Sequence, residues 1–214
     1  MVRFMNRANA ITLAGACAGL AAALLAVRGH VAYAFAALIV CGLCDVFDGL
    51  VARRLERSEE EKTFGGRLDS LVDAVSFGAV PPVVLHEAGL RSPPELLLLG
   101  LFLCCAVWRL AYFDTVGLVQ EPGARPRYRG LPTTFSALAL PLAGTVGFHD
   151  PQALRLALDV AVPALALFMI APLRFPKPSG VWYVLIPACG VGLLVLYAVW
   201  GGGHYPGNAA PLVP

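Results

Sequence analysis

Seven apolar stretches, separated by short turns, account for most of the 214-residue chain. A membrane-spanning helix needs about 20 consecutive apolar residues, so the pattern allows about six to seven spans and leaves no length for a separate soluble domain. The sequence therefore predicts an all-α fold, a polytopic integral membrane helix bundle. We expect a single domain over residues 1–214, with a variable carboxyl-terminal tail at 201–214. The stretches lie at about 10–27, 31–52, 68–88, 95–115, 132–148, 153–171 and 181–200.

Charged residues make up only 14% of the chain and are unevenly placed along it. The net charge of +2 and the lack of a long basic run give no support to nucleic acid binding. If the amino terminus lies in the cytoplasm, 12 of the 16 Lys and Arg residues fall on that side, which satisfies the positive-inside rule. We therefore expect a protein of the cell inner membrane. The twelve residues are Arg3, Arg7, Arg53, Arg54, Arg57, Lys62, Arg67, Arg125, Arg127, Arg129, Arg174 and Lys177.

Two local patterns predict how the first three stretches are packed and connected. In the first stretch, Gly15 and Gly19 form a G-x-x-x-G pattern, which favours a close contact between helices. The polar residues from Arg53 to Arg67 predict a solvated loop or an extension of the third helix. The polar residues lie between the acidic residues of the second and third stretches.

Four aspartates lie at helical spacing near the expected cytoplasmic boundary of the membrane. Asp45 and Asp48 are three residues apart at the end of the second stretch, and Asp69 and Asp73 are four apart at the start of the third. Each pair therefore projects from one helix face, and the short connection makes the two helices antiparallel neighbours. Four converging carboxylates favour a hard divalent cation such as Mg²⁺ or Mn²⁺. The alternative is solvated helix ends or ion pairs with the nearby arginines Arg53, Arg54 and Arg67.

Small residues and an arginine beside these aspartates favour a ligand that carries phosphate. Gly49 follows Asp48 directly, and Gly65 lies one helical turn before Asp69. A good helix former would stabilise the helix by about 1 kcal/mol more at each glycine, whereas glycine lets a bulky ligand approach the backbone. Arg53, one turn beyond Gly49, has the planar fork that matches phosphate oxygens.

The segments DVFDGLVAR, from Asp45, and GGRLDSLVD, from Gly65, resemble the signature of the CDP-alcohol phosphotransferase family. That signature reads D-x-x-D-G-x-x-A-R, a spacer, then G-x-x-x-D-x-x-x-D. The spacer of 11 residues between Arg53 and Gly65 is longer than the usual one. All fixed positions of the signature are present, namely Asp45, Asp48, Gly49, Ala52, Arg53, Gly65, Asp69 and Asp73.

The rest of the chain resembles the phosphatidylserine synthase branch of that family. The run SLVDAVSFGAVPP begins at Ser70, RLAYFD begins at Arg109, and RGLPTTFSAL begins at Arg129. Tyr112 and Asp114 stand where this branch often has Arg and Asn. This departure leaves the identity of the acceptor alcohol open.

The resemblance implies metal-dependent transfer of a phosphatidyl group from CDP-diacylglycerol to an alcohol, with release of CMP. It implies two divalent ions, Mg²⁺ or Mn²⁺, held by Asp45, Asp48 and Asp69. Asp73 would contribute to the second ion and act as the general base. The resemblance also implies a homodimer, and it places the active site at the cytoplasmic end of the second and third spans. The CDP site would include an N-x-x-T element and be formed by Asn9, Thr12, Asp48, Gly49, Ala52, Arg53 and Gly65.

The acceptor alcohol is the part of the reaction that the sequence determines least. Serine, which the branch implies, carries a carboxylate that needs a cation, and Arg109 within the fourth stretch is the first candidate. Alternatively, Arg109 forms a structural ion pair, or its side chain extends to the membrane surface. Inositol phosphate, glycerol phosphate and other amino alcohols are alternative acceptors. A cation transporter or channel is the alternative function from a different class of protein. Further candidates for the acceptor, or else loop anchors and lipid-phosphate contacts, are Arg125, Arg127 and Arg129.

Overall fold

The computed structural model describes residues 2–118, 127–176, 180–202 and 205. Within these ranges the chain is almost entirely helical, and a π-helical turn over Ala74–Ala79 joins the third and fourth helices into one continuous rod. Short 3₁₀ turns flank the sixth helix on both sides. The helices are α1 (Arg7–Val27), α2 (Val31–Ala52), α3 (Glu59–Asp73), α4 (Val80–Glu87), α5 (Pro93–Val116), α6 (Ser136–Gly144), α7 (Pro151–Ile170) and α8 (Trp182–Trp200).

The described helices confirm the prediction of a polytopic membrane bundle. Six of them are long and apolar enough to cross a bilayer, counting α3, the π-helical turn and α4 as one helix over Glu59–Glu87. The predicted fifth stretch is a shorter apolar helix over Thr133–Phe148, built from α6 and its flanking 3₁₀ turns. The core between these helices is apolar, and its largest fully buried side chains include Phe35, Phe102 and Tyr197.

Two short strands indicate at which end of the bundle α6 begins and α7 ends. Strand β1 (Arg127–Arg129) pairs antiparallel with β2 (Arg174–Pro176), so the chain leaves one end of the bundle before α6 and returns to it after α7. At the opposite end, an ion pair of 2.6 Å between Glu95 Oε1 and Arg155 Nη2 joins the starts of α5 and α7. The described chain therefore passes through the bundle seven times, six times as a long helix and once as α6.

The close contact predicted for the first helix is present. A Cβ atom on Gly15 would lie 3.1 Å from the Cβ atom of Cys44 on α2. A Cβ atom on Gly19 would lie 2.9 Å from Ser76 Oγ in the π-helical turn. The small residues thus let α1 pack directly against both elements that carry the aspartates.

The polar segment after α2 is a short turn followed by an extension of the third helix, which begins at Glu59. A reciprocal capping box fixes this start, because Ser58 Oγ accepts from Glu61 N at 3.3 Å and Glu61 Oε2 accepts from Ser58 N at 2.8 Å. The glutamates of the first turn also interact favourably with the positive end of the helix dipole. The extension makes Gly65 and Asp69 part of one regular helix, which sets the direction of the Asp69 side chain.

Candidate active site

Three of the four predicted aspartates meet between α2 and α3. Asp45, Asp48 and Asp69 each offer a carboxylate oxygen, and these oxygens lie within 4.8 Å of one another. Asp73, one turn beyond Asp69 on α3, is buried, lies beside Asp45 and lines a small cavity with the other three. We call these four residues the acidic cluster.

The donor set of the acidic cluster suits a divalent cation. Among the residues that the structure describes, no Lys or Arg nitrogen lies within 4.0 Å of any of its carboxylates. The predicted alternative, ion pairs with Arg53, Arg54 and Arg67, is therefore not found there. Carboxylates this close repel one another unless a cation intervenes, and an all-oxygen set is the one that Mg²⁺ and Mn²⁺ prefer.

One side of the acidic cluster faces a cavity of about 190 Å³ between the first three helices. We call it the α1–α3 cavity. Thr12 Oγ1 donates to Asp48 Oδ2 at 2.5 Å, which ties α1 to the acidic cluster. Of the residues predicted to bind the nucleotide, all but Arg53 line this cavity, namely Asn9, Thr12, Asp48, Gly49, Ala52 and Gly65.

The two glycines of the α1–α3 cavity have different surroundings. A Cβ atom on Gly65 would lie 3.1 Å from Asn9 Oδ1 and 3.2 Å from Arg57 Nη1, both closer than nearly all real Cβ contacts. A Cβ atom on Gly49 would have no neighbour within 4 Å. Gly65 therefore allows Asn9 and Arg57 to come together, whereas Gly49 leaves open space above the backbone.

Arg53 lines a second cavity, of about 280 Å³, which shares Asp48, Gly49 and Asp69 with the first. We call it the α2–α8 cavity, because it lies between α2 and α8, with the start of α6 as a further wall. Arg53 Nη1 donates to the hydroxyl of Tyr183 on α8 at 2.9 Å, and the guanidinium carbon lies 5.3 Å from the centre of that ring. The apolar part of the lining includes Ile39, Leu43, Leu50, Leu138, Trp182, Ile186 and Pro187.

Arg109 on α5 is buried next to the acidic cluster, with only 6% of its surface exposed. Its guanidinium carbon lies 5.0 Å from the centre of the Phe113 ring and 5.8 Å from that of Tyr128, both within the range of cation–π attraction. Within the described ranges its Nε has no hydrogen-bond partner, and no carboxylate lies within 4.0 Å of it. Asp114, the only acidic residue near it in sequence, instead accepts from Ser70 Oγ at 2.7 Å.

Two of the other predicted acceptor residues, Arg127 and Arg129, line neither cavity. Arg127 and Arg129 are exposed on β1, and Arg129 Nη1 donates to the Tyr112 hydroxyl at 3.3 Å. Arg125 lies outside the described residues. Tyr128, between the two exposed arginines, does line the α2–α8 cavity. Its burial raises the pKa of the Tyr128 phenol, so the hydroxyl stays protonated at neutral pH.

Sequence reasoning missed several polar residues that the structure places at the site. Tyr128 and Tyr183 line the α2–α8 cavity, Thr134 lies beside Asp45, and Arg57 lines the α1–α3 cavity. Tyr128 and Tyr183 carry no local sequence signal, because each reaches the site through contacts with distant segments. Thr134 lies inside the RGLPTTFSAL run, and Arg57 lies inside the spacer of the aspartate signature. Their positions in these segments were a usable signal.

The fold and the site define a class of protein: an integral helical membrane protein whose acidic cluster lies between a polar cavity and a largely apolar one. A sequence model of the CDP-alcohol phosphatidyltransferase family matches residues 5–175. The chain belongs to the CDP-alcohol phosphatidyltransferase family, which confirms the resemblance seen in the aspartate signature. Helix α8 lies beyond the matched residues.

Several relatives are named for serine-containing lipids. The archaetidylserine synthase of Methanothermobacter thermautotrophicus is 26% identical over 178 residues, which cover 83% of this chain and 72% of that protein. The CDP-diacylglycerol–serine O-phosphatidyltransferase of Mycobacterium tuberculosis is 32% identical over 138 residues, 62% of this chain and 46% of that protein. The Bacillus subtilis protein of the same name is 27% identical over 134 residues, 62% of this chain and 68% of its own length. This chain thus spans less than half of the mycobacterial relative.

Proposed function

We propose that the protein transfers a phosphatidyl group from CDP-diacylglycerol to L-serine, forming phosphatidylserine and CMP. The observation that carries this proposal is the acidic cluster between two cavities, with Arg109 buried next to it and, among the described residues, in no ion pair. Family membership supports the reaction type, and the names of the relatives support serine as the acceptor.

The two cavities suit the two halves of the donor. The α1–α3 cavity, with its glycines and polar side chains, would take the nucleotide, and the apolar α2–α8 cavity would take the start of the diacylglycerol. Both cavities include Asp48 and Asp69, so the pyrophosphate that joins the two halves would lie at the acidic cluster. Arg53, held by Tyr183, would donate to a phosphate oxygen at this junction.

The acidic cluster would hold two divalent ions, Mg²⁺ or Mn²⁺, through Asp45, Asp48 and Asp69, with Asp73 at the second. When bound, the ions would neutralise the charge of the pyrophosphate. Asp73 would take the proton from the serine hydroxyl. The serine oxygen would then form a bond to the phosphorus that bears diacylglycerol, while the bond from that phosphorus to the CMP oxygen breaks and CMP leaves.

Arg109 would bind the carboxylate of serine. The Arg109 guanidinium interacts electrostatically with Asp73 and Asp45 but forms no ion pair with a carboxylate among the described residues, and a bidentate contact with a substrate carboxylate would supply such a partner. The neighbouring Tyr128 hydroxyl, protonated at neutral pH, is a further donor on this side. Inositol phosphate and glycerol phosphate would need cations for the acceptor phosphate. Arg127 and Arg129 do not supply them, because both lie exposed on β1 and line neither cavity.

The site would face the cytoplasm from the cell inner membrane. Arg53, β1 and β2 lie at the same end of the bundle as the acidic cluster, and the positive-inside rule places such an end in the cytoplasm. A homodimer is a further part of the proposal, and it depends on the family resemblance alone.

The proposed function is tested with purified protein, CDP-diacylglycerol and a panel of isotope-labelled acceptors in the presence of Mg²⁺ or Mn²⁺. The panel contains serine, inositol phosphate, glycerol phosphate and ethanolamine. We expect label from serine in a lipid product, with one CMP released per lipid formed. Incorporation of a phosphorylated alcohol and not of serine would contradict the acceptor. No CMP release with any acceptor would contradict the enzyme activity itself.

A further inference from the structure

The spacer between the two halves of the aspartate signature, residues 54–64, contributes two basic side chains to the α1–α3 cavity, Arg57 and Lys62, of which Lys62 is paired with Glu59 through Nζ and Oε1 at 2.7 Å. Arg57 lines this cavity, and its buried Nε has no hydrogen-bond partner among the described residues. Its Nη1 lies 3.2 Å from the point that a Gly65 Cβ would occupy. Arg57 is not a fixed position of the signature, so the motif assigns it no role.

Asn9 presents an acceptor to the same part of the cavity. Asn9 Nδ2 donates to the carbonyl oxygen of Phe4 at 2.8 Å, which fixes the orientation of the amide and leaves Oδ1 on the cavity side. Asn9 Oδ1 lies 3.1 Å from the same Gly65 Cβ point. Asn9 is 3% exposed and lines the cavity, so a ligand bound there can donate to this oxygen. Arg57 and Asn9 thus place a donor and an acceptor next to Gly65.

The position of this pair along the cavity indicates which part of a nucleotide it meets. On α1, Asn9 lies about one turn before Thr12, which binds Asp48. On α3, Gly65 lies one turn before Asp69, toward the end of the bundle that carries Arg53. One turn is about 5.4 Å along a helix axis. With the pyrophosphate at Asp48 and Asp69, the nucleoside would therefore lie beside Arg57 and Asn9.

We propose that Arg57 and Asn9 select cytosine by the hydrogen-bonding pattern of its edge, an inference that rests on the proposed function of the site. The Arg57 guanidinium donates to O2 and N3 of the base, and Asn9 Oδ1 accepts from its N4 amino group. Uracil presents N3–H as a donor to the guanidinium and O4 as an acceptor to Asn9 Oδ1. The contacts at N3 and at the 4-position are then lost, and the remaining contact of the guanidinium with O2 is offset by the clash between its N–H and the N3–H of uracil. The site's buried polar groups are thus left unpaired.

The test compares the binding of CMP and UMP to the purified full chain by calorimetry, with Mg²⁺ present. Wild-type protein is expected to bind CMP at least about tenfold more tightly than UMP, the discrimination expected when buried polar groups are left unpaired. Arg57→Ala should weaken CMP binding by about tenfold and change UMP binding by less than about twofold, so that the preference for CMP falls by about fivefold or more and only the part due to Asn9 is left. Unchanged UMP binding also shows that the variant is folded.

Arg54→Ala is the matched control, since Arg54 is an exposed arginine of the same spacer and does not line the cavity. It should bind CMP and UMP as wild type does. If Arg57→Ala is not folded, Arg57→Gln gives the same comparison, because it also removes the donor fork.

Three results would overturn the inference. Equal weakening of CMP and UMP by Arg57→Ala would show a phosphate contact and no reading of the base. Unchanged CMP binding would show no contact, and a wild type that binds CMP and UMP equally would show no selection. In each case CMP release from CDP-diacylglycerol by the wild type would leave the proposed function standing, whereas its absence would make the proposed function fail as well.

Discussion

Asp73 is placed differently from the other aspartates of the acidic cluster. The oxygens of Asp45, Asp48 and Asp69 form a compact group, and Asp73 stands beside that group and is more deeply buried than Asp45 and Asp69. It is the last residue of α3 before the π-helical turn, a local widening that often occurs at functional sites. A carboxylate at the edge of a group of metal-binding carboxylates can bind one ion and still present an oxygen to the acceptor alcohol.

Replacement of Asp73 by Asn tests its role as the base. Asp73→Asn keeps the shape but loses the basic oxygen, so turnover should fall by roughly 10²-fold or more. CMP binding should stay near the wild-type value, measured by calorimetry beside the rate of CMP release. Asp159→Asn on α7, away from both cavities, is the control and should retain its turnover. Near-normal turnover in Asp73→Asn would eliminate the base, and loss of CMP binding would make Asp73 chiefly a metal ligand.

Replacement of Arg109 by Lys tests the acceptor site independently of the panel of acceptors. Arg109→Lys keeps the charge but loses the planar fork, so the KM for serine should rise by roughly tenfold, as expected for the loss of a charge-assisted hydrogen bond. The KM for CDP-diacylglycerol should change little, which separates acceptor binding from damage to the fold. Arg67→Lys, at an exposed position on α3, is the matched control. An unchanged serine KM would show that Arg109 has a structural role and that serine binds elsewhere.

Helix α8 contributes to the site although it lies outside the residues that match the family. It forms one wall of the α2–α8 cavity, and its Tyr183 binds Arg53 through a hydrogen bond and through its ring face. Arg53 is exposed and has a long flexible side chain, so this contact restricts its orientation. We expect α8 to position the signature arginine for the donor phosphate.

Removal of the Tyr183 hydroxyl tests this positioning. Tyr183→Phe keeps the ring but removes the hydrogen bond, and the KM for CDP-diacylglycerol should rise by about fivefold, corresponding to about 1 kcal/mol. The serine KM should not change. Tyr33→Phe, at the opposite end of α2, is the matched control and should leave both KM values unchanged. A Tyr183→Phe variant with the wild-type KM for CDP-diacylglycerol would remove α8 from donor binding.

Helix boundaries show what the sequence could and could not predict. Continuous apolar stretches located the spans, but the amino-terminal half of α3 is polar, so hydropathy alone left residues 53–67 open between a loop and a helix. The capping pattern from Ser58 to Glu61 was a usable local signal for the helix start. The π-helical turn over Ala74–Ala79 had no such signal, because it depends on how the helix packs.

The candidate site shows the same division. Spacing along single helices predicted the acidic cluster, because i, i+3 and i, i+4 positions share a face whatever the tertiary structure. Spacing could not predict that Tyr183 binds Arg53, since the two are 130 residues apart in sequence. Nor could it predict that Tyr128 packs near Arg109 while Arg127 and Arg129 stay exposed, because the pairing of β1 with β2 sets that arrangement.

The whole bundle places charge and cavities at one end. The pairing of β1 with β2 joins the end of α7 to the start of α6, beside the end of α5. The contact between Arg53 and Tyr183 joins the end of α2 to the start of α8. These helix ends surround the acidic cluster. Lipid tails can then stay among the exposed apolar side chains of the bundle while the head group reaches the carboxylates. This arrangement explains how a chain with so few charged residues can concentrate chemistry at one membrane surface.

Metal dependence of phosphatidylserine formation is the measurement that tests the central claim most directly. Purified protein with CDP-diacylglycerol and isotope-labelled serine is assayed for labelled lipid before chelation, after thorough chelation, and after Mg²⁺ or Mn²⁺ is added back. We predict that chelation abolishes the lipid product and that the divalent ion restores it, because the clustered carboxylates need cations to bind a pyrophosphate. Full formation of the lipid in the chelated sample would contradict the account.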